Sequence, residues 1–204
     1  MLAATNLGCV RGDRLLFRDI SFSLSPGTFL QVTGPNGSGK TSLLRIICGL
    51  LAPAEGKIEW NGQDIRALGE EYFSFLTFVG HRNGIKEELT SLENLRIASG
   101  VSGIRLAEEQ ARDALARMGL KGREQLPARF LSEGQRRRSA LARLLTANSS
   151  LWILDEVLTS LDKAASQLVT SIIEEHLESG GMAIVATHQE LNITAGSFQR
   201  LELA

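Results

Sequence analysis

This sequence predicts an α/β fold with a largely parallel sheet, and three observations carry the prediction. The octet Gly34-Pro35-Asn36-Gly37-Ser38-Gly39-Lys40-Thr41 follows a β-prone run, Thr28-Phe29-Leu30-Gln31-Val32, and precedes a helical run, Ser42-Leu43-Leu44-Arg45-Ile46-Ile47-Cys48. A second apolar strand, Leu151-Trp152-Ile153-Leu154, ends in the acid pair Asp155-Glu156. Around both, strand-like and helix-like stretches alternate, the pattern of parallel strands joined by crossover helices.

In chain order, residues 2–25 alternate as strands do, broken by a turn at Arg11-Gly12-Asp13-Arg14. Ser25-Pro26-Gly27 launches the strand before the octet, and Gly49 stops the helix after it. Lys57-Ile58-Glu59-Trp60 then runs into the hairpin signal Asn61-Gly62. Phe75-Leu76-Thr77-Phe78-Val79 reads as a buried strand ending at Gly80-His81. Residues 91–147 are rich in helix formers and read as a helical insert between two stretches of sheet. Within it Leu106, Ala107, Gln110, Ala111, Ala114, Leu115 and Met118 form a stripe at helical spacing, and a further helix is expected over 134–146. A helix over 163–177, a buried strand over Met182–Ala186 and an edge strand over 198–203 complete the pattern.

A chain of 204 residues is one domain, or one domain with a subdomain, and buries about 70% of its unfolded surface. The formal charge of −1 and pI near 6.3 give no sign of nucleic acid as a partner. Arg136-Arg137-Arg138, the one dense cationic patch, reads as the solvated face of a helix. Cys9 and Cys48 are expected to be free thiols in a reducing compartment, and three scattered histidines do not suggest a metal site. Residues 1–6 lack the charged start and long apolar core of a signal peptide, and no apolar run approaches 18 residues. Any membrane role is therefore expected to come through a partner.

The octet fits G-x-x-x-x-G-K-[ST] in its strand–loop–helix setting. Its glycines let backbone N–H groups turn inward around a phosphate, and the following helix aims its positive end at the same point. Lys40 would meet the β and γ phosphates, and Thr41 would offer a hydroxyl to Mg²⁺. A buried parallel strand delivers its last residues to the carboxyl edge of the sheet, where ligands sit. There Asp155 would hold Mg²⁺ through its waters, and Glu156 would polarise the attacking water. Leu131-Ser132-Glu133-Gly134-Gln135 precedes a helix; Ser132 and Gln135 can form a capping box, and the same helix end can meet a γ-phosphate.

Together with Thr159-Ser160-Leu161-Asp162 and His188, these motifs resemble the ATP-binding-cassette (ABC) ATPases over the whole chain. The resemblance implies a P-loop NTPase with a RecA-like core sheet, an N-terminal antiparallel β part and an inserted helical subdomain. Residues 1–82 and 148–204 would form the nucleotide-binding core and residues 83–147 the subdomain. It implies ATP and Mg²⁺ as ligands, with residues 34–41, Ser42 and Arg11 at the nucleotide, Thr41 and Asp155 at the metal, and Lys40, Glu156 and His188 in catalysis. It also implies a homodimer in which ATP lies between one phosphate loop and the partner's residues 131–135, with Asp162 at the seam. Helix length agrees: about 14 residues span roughly 21 Å, which would carry Ser132 beyond reach of its own ATP.

Three positions depart from the family pattern. Arg11 stands where an aromatic usually stacks on adenine, and a planar guanidinium can stack instead. His81 replaces a common glutamine of the loop that couples to membrane subunits, and Val157 replaces a proline after the acid pair. The segments 80–86, 89–95, 151–156 and 186–189 are similar to the ATP-binding subunits of haem exporters in cytochrome c biogenesis. That narrower likeness implies a peripheral protein on the cytoplasmic side of the bacterial inner membrane, bound to integral membrane subunits of a haem-export complex. An ATPase subunit for lipoprotein, metabolite or drug transport, or a soluble non-transport cassette, fits the same motifs.

Overall fold

The computed structural model describes residues 1–189 and 191–204. The chain forms two units, Met1–Phe78 with Ser149–Glu156 and Ile172–Ala204, and Val79–Asn148 with Val157–Ser171.

The first unit begins with an antiparallel hairpin, β1 (Leu2–Arg11) and β2 (Arg14–Leu24). β3 (Thr28–Thr33) leads through the glycine-rich loop into α1 (Lys40–Ile47). β4 (Glu55–Trp60) returns to pair antiparallel with β1, Leu2 opposite Trp60, and β5 (Gln63–Asp64) pairs with β4. Asn61 and Gly62 link these strands at φ 52 and 83, the double left-handed turn that matches the twist of a tight hairpin. Two short helices, α2 (Ile65–Leu68) and α3 (Glu70–Ser74), precede β6 (Leu76–Val79). After the second unit come β7 (Leu151–Asp155), β8 (Met182–Ala186) and β9 (Ser197–Glu202). The strand orders are β2-β1-β4-β5 and β6-β7-β8-β3-β9, and the pairs β7–β8, β8–β3 and β3–β9 are all parallel.

β7 and β8 are buried at every position, so both read as unbroken apolar runs rather than alternating ones. β6 corrects the expectation of a buried strand: it is an edge, and only Val79 of its four residues is buried. In α1, Leu43, Leu44, Ile46 and Ile47 are all buried, and they share one apolar cluster with Leu2, Leu7 and Ile58 of one sheet and Leu30, Ile153 and Ile184 of the other. A helix covered this broadly is held between layers, and each buried aliphatic side chain contributes about 1.5–3 kcal/mol. That packing fixes the start of α1 against the ends of β3 and β7.

The second unit contains α4 (Ser91–Val101), α5 (Glu108–Arg117) and α6 (Glu133–Leu141). α7 (Lys163–Glu178) starts here and carries the chain back to the first unit. Thr90 caps α4 reciprocally with Glu93, and Ser132 caps α6 with Gln135. On α5 the stripe is narrower than expected: Ala111, Ala114 and Leu115 are buried, while Ala107 and Gln110 are exposed. The helix expected over 134–146 is α-helical only to Leu141 and then tightens to a 3₁₀ turn, Ala142–Leu145. The Thr146 backbone N–H and hydroxyl both donate to the Arg143 carbonyl, at 3.2 Å each, closing that turn early. The nine-residue α6 is therefore about 13.5 Å long, shorter than the length argument assumed.

Arg136-Arg137-Arg138 is not one solvated face. Successive residues on a helix point about 100° apart. Arg137 is 3% exposed, and half-buried Arg138 donates through Nη1 to the Met118 and Gly119 carbonyls at 2.9 and 3.1 Å. Among the described residues no helix is long and apolar enough to cross a membrane.

Candidate active site

The glycine-rich loop of the first unit is shaped by conformations that favour glycine. Gly34, Gly37 and Gly39 have φ of 143, 83 and 103. A Cβ on Gly34 would collide with the Leu203 carbonyl oxygen, and one on Gly39 would sit 2.9 Å from the Phe17 ring. Gly39 also offers no side-chain cap to α1, and no acid stands in the first helical turn. The amides at that helix end thus face the loop without a carboxylate to satisfy them, the setting that favours an anion. The buried Ser38 hydroxyl has no hydrogen-bond partner among the described residues. Lys40, 7% exposed, donates through Nζ to the carbonyls of Gly34 at 2.7 Å and Pro35 at 3.1 Å. Its charge is thus folded into the loop that would take a phosphate.

The first turn of α1 and the end of β7 bring the next pair together. Thr41 Oγ1 donates to Asp155 Oδ2 at 2.9 Å, although the two are far apart in sequence. Asp155 is 2% exposed at the end of β7. A hydroxyl and a carboxylate so placed are hard oxygen donors, which suits Mg²⁺. Burial, and secondarily the Asp155 charge, pushes the Cys48 thiol well above the ordinary thiol range. Ser42 is half-buried on α1, and burial pushes the Cys9 thiol up as well.

Glu156 turns out of β7 with φ 50, and its N–H donates to the Ala186 carbonyl at 2.9 Å. That left-handed turn points the acid away from the strand. His188, just beyond β8, places Nε2 3.3 Å from Glu156 Oε1 and 2.9 Å from Asn36 Oδ1. Three elements of the parallel sheet therefore meet at its carboxyl edge, as open α/β sheets require of their ligand sites. Arg11 is exposed at the end of β1, opposite Arg14.

In the second unit, Ser132 Oγ accepts from Gln135 N at 3.2 Å, while Ser132 N donates to Gln135 Oε1 at 2.9 Å. An accepting hydroxyl still carries its own proton to donate. Leu131 is buried behind it. Ser160, at φ 67, donates to Glu133 Oε1 at 3.0 Å, and its carbonyl would lie 3.0 Å from a Cβ on Gly134. Asp162 Oδ1 accepts from Ala165 N at 2.8 Å, capping the start of α7. The His81 side chain is exposed, and its carbonyl accepts from Arg137. Val157 is buried and its carbonyl also accepts from Arg137, so a side chain supplies restraint there without proline.

The sequence reading missed the side-chain role of Asn36, the ring of Phe17 under Gly39, and Arg137. The last had a signal: Arg137, Ala140, Leu141 and Leu144 share one helical stripe and all four are buried. Asn36 and Phe17 had none, because their partners, His188 and Gly39, are brought to them only by the fold.

Comparison with known proteins gives the family. The ABC transporter family model matches residues 17–159. The cytochrome c biogenesis ATP-binding export protein CcmA of Nitrosospira multiformis is 56% identical over 99% of this chain and 98% of its own. The protein of that name from Nitrosomonas europaea is 55% identical over 100% and 96%. Among solved structures, a bacterial ABC transporter cassette determined as a dimer superposes with a TM-score of 0.85 at 23% identity, covering 99% of this chain and 94% of that one. An ATP-binding subunit of an ABC transporter does so at 0.81 and 25%, covering 92% and 79%.

Proposed function

Because the chain belongs to the ABC transporter ATP-binding family, we propose that it hydrolyses ATP for a membrane complex of haem export in cytochrome c biogenesis. In this reading it sits peripherally on the cytoplasmic face of the bacterial inner membrane, bound to integral membrane subunits. Full-length likeness to two export proteins of cytochrome c biogenesis carries the assignment.

The hydrolytic part rests on the meeting of Glu156, His188 and Asn36 beside the glycine loop. The backbone amides of residues 34–41 and the start of α1 grip the polyphosphate. Lys40 exchanges its loop carbonyls for the β and γ phosphate oxygens, a stronger charge-assisted pairing. Thr41 and Asp155 would hold Mg²⁺, which when bound neutralises charge on the β and γ oxygens. Glu156 orients a water in line with the γ phosphorus and takes its proton as the P–O bond to ADP breaks. His188 donates to the γ-phosphate oxygens from a ring that Asn36 and Glu156 orient. Arg11 stacks on the adenine.

Residues 131–135 of a second copy cover the same ATP through the Ser132 hydroxyl and the α6 amides. Asp162 lies at that seam, and the His81 loop faces the membrane subunits. Two measurements test the proposal. The chain, expressed in its host, should co-purify from solubilised membranes with integral proteins of haem handling. Its ATP turnover should change when they are removed. Recovery with a permease for another solute would overturn the assignment.

A further inference from the structure

Arg137 is almost fully buried inside the second unit, yet it is a cation. Its Nε donates to the Val157 carbonyl at 3.1 Å. Its Nη1 is shared among the carbonyls of Gly80 at 3.0 Å and His81 at 3.3 Å and the side-chain oxygen of Asn83 at 3.1 Å. These acceptors lie on two loops far apart in sequence. One follows β6 and carries His81. The other begins at Val157, the residue directly after Glu156. Glu156 is itself held in a left-handed conformation, with its N–H fixed by the Ala186 carbonyl. The backbone of the acid is thus pinned on its leading side by β8, while the next residue is pinned by Arg137.

We propose that Arg137 is a positioning residue for ATP hydrolysis, clamping the His81 loop and the segment leaving Glu156 into one arrangement. The proposal rests on the reading of Glu156 as the group that activates water. Arginine suits the task because Nε and Nη1 lie in one rigid plane at fixed spacing. A shift of residues 80–83 is then passed to Val157 through a single stiff group. Lysine has one ammonium on a flexible stem and cannot hold both loops in the same geometry. Burial adds force to the link, because a carbonyl that loses its donor in the interior is left unsatisfied.

The test compares Arg137→Lys and Asn83→Ala in the full-length chain, together with the membrane proteins it co-purifies with. Asn83→Ala removes one acceptor and leaves the guanidinium in place, so it probes the clamp even if a buried lysine unfolds the unit. Turnover should fall about tenfold for Arg137→Lys, equal to about 1.4 kcal/mol, and about two- to fivefold for Asn83→Ala. KM for ATP should stay within about twofold for both, and the melting temperature of Asn83→Ala should hold, because only the placement of the acid changes. In a Glu156→Gln background, single-turnover rates should show no further loss from either substitution.

Wild-type turnover in both folded variants would overturn the proposal. So would a silent Asn83→Ala beside an Arg137→Lys that loses turnover, ATP affinity and melting temperature together, the pattern of a purely structural arginine. An undiminished effect of Asn83→Ala in the Glu156→Gln background would also overturn it. Full turnover in Glu156→Gln alone would instead remove the acid from its assigned role, so the two failures are told apart.

Discussion

His188 Nε2 lies 3.3 Å from Glu156 Oε1, at the carboxyl edge of the parallel sheet. The two side chains come from neighbouring strands, β7 and β8, whose parallel register sets Asp155 opposite Ala186. That register brings the acid and the ring out on the same edge, beside the loop that follows β3. If Glu156 activates water there, Glu156→Gln should keep ATP binding and lower turnover by about 10²–10⁴. Steady-state hydrolysis near the wild-type rate would remove the acid from the mechanism.

His188→Ala deletes the ring that bridges Glu156 and Asn36. If that ring donates to developing phosphate charge, turnover should fall by about 10²-fold. ATP affinity should change by no more than about threefold. Equilibrium binding of a fluorescent ATP analogue beside single-turnover hydrolysis separates the two quantities. A loss confined to affinity would assign His188 to ground-state binding.

A site shared between two copies of the chain, as proposed above, makes a prediction in trans. Ser132→Arg and Lys40→Ala should then each abolish hydrolysis alone, one by blocking the α6 end and the other by removing the charge of the glycine-rich loop. Mixed dimers of the two carry one site with both faces intact. Activity should return toward about half per dimer, as expected where only one of two composite sites is whole. No recovery on mixing would count against the shared arrangement.

Gly39 and Gly37 separate strain from collision. Both have left-handed φ, 103 and 83, but only Gly39 has a ring beneath it, with Phe17 carbons 2.9 Å from the place of a Cβ. Gly39→Ala should cost about 1–3 kcal/mol, and Gly37→Ala, with open space, about 1 kcal/mol. Urea denaturation compares them. Equal midpoints would show that the Phe17 ring yields freely.

Cys48 is predicted to resist alkylation. It is 1% exposed, and burial, followed by the Asp155 charge, holds its thiol in the protonated form. Iodoacetamide at pH 8 should leave it unmodified until the chain is unfolded. The same shift has a sign for stability. A raised folded pKa contributes fully below the ordinary thiol value of about 8.5, and the contribution drains away as pH climbs toward the folded value. Replacing Cys48 with alanine should flatten that alkaline decline in thermal melts, whereas an unchanged slope would place its origin elsewhere.

Much of the first unit was legible because its signals are local. The octet names its own loop through glycine spacing, Asn61-Gly62 names its own turn, and the apolar runs of β7 and β8 announce strands covered on both faces. The family likewise shows in motif order. The errors cluster where one number describes several environments. Three consecutive arginines read as one charged face, but helical rotation sends Arg137 inward while Arg138 reaches the end of α5. A helix former such as Leu145 says nothing of the Thr146 hydroxyl that tightens the turn around it.

What the residues determined by themselves was the glycine-rich loop, the strand ending in two acids and the reciprocally capped start of α6. Each depends on backbone preferences and neighbours only a few positions away. Tertiary structure alone decided that Thr41 meets Asp155, that His188 stands between Glu156 and Asn36, and that Arg137 joins two distant loops. Those pairings follow from strand order and helix rotation, which emerge only when the whole apolar interior is buried at once. No local pattern encodes which distant groups that burial will bring within hydrogen-bond reach.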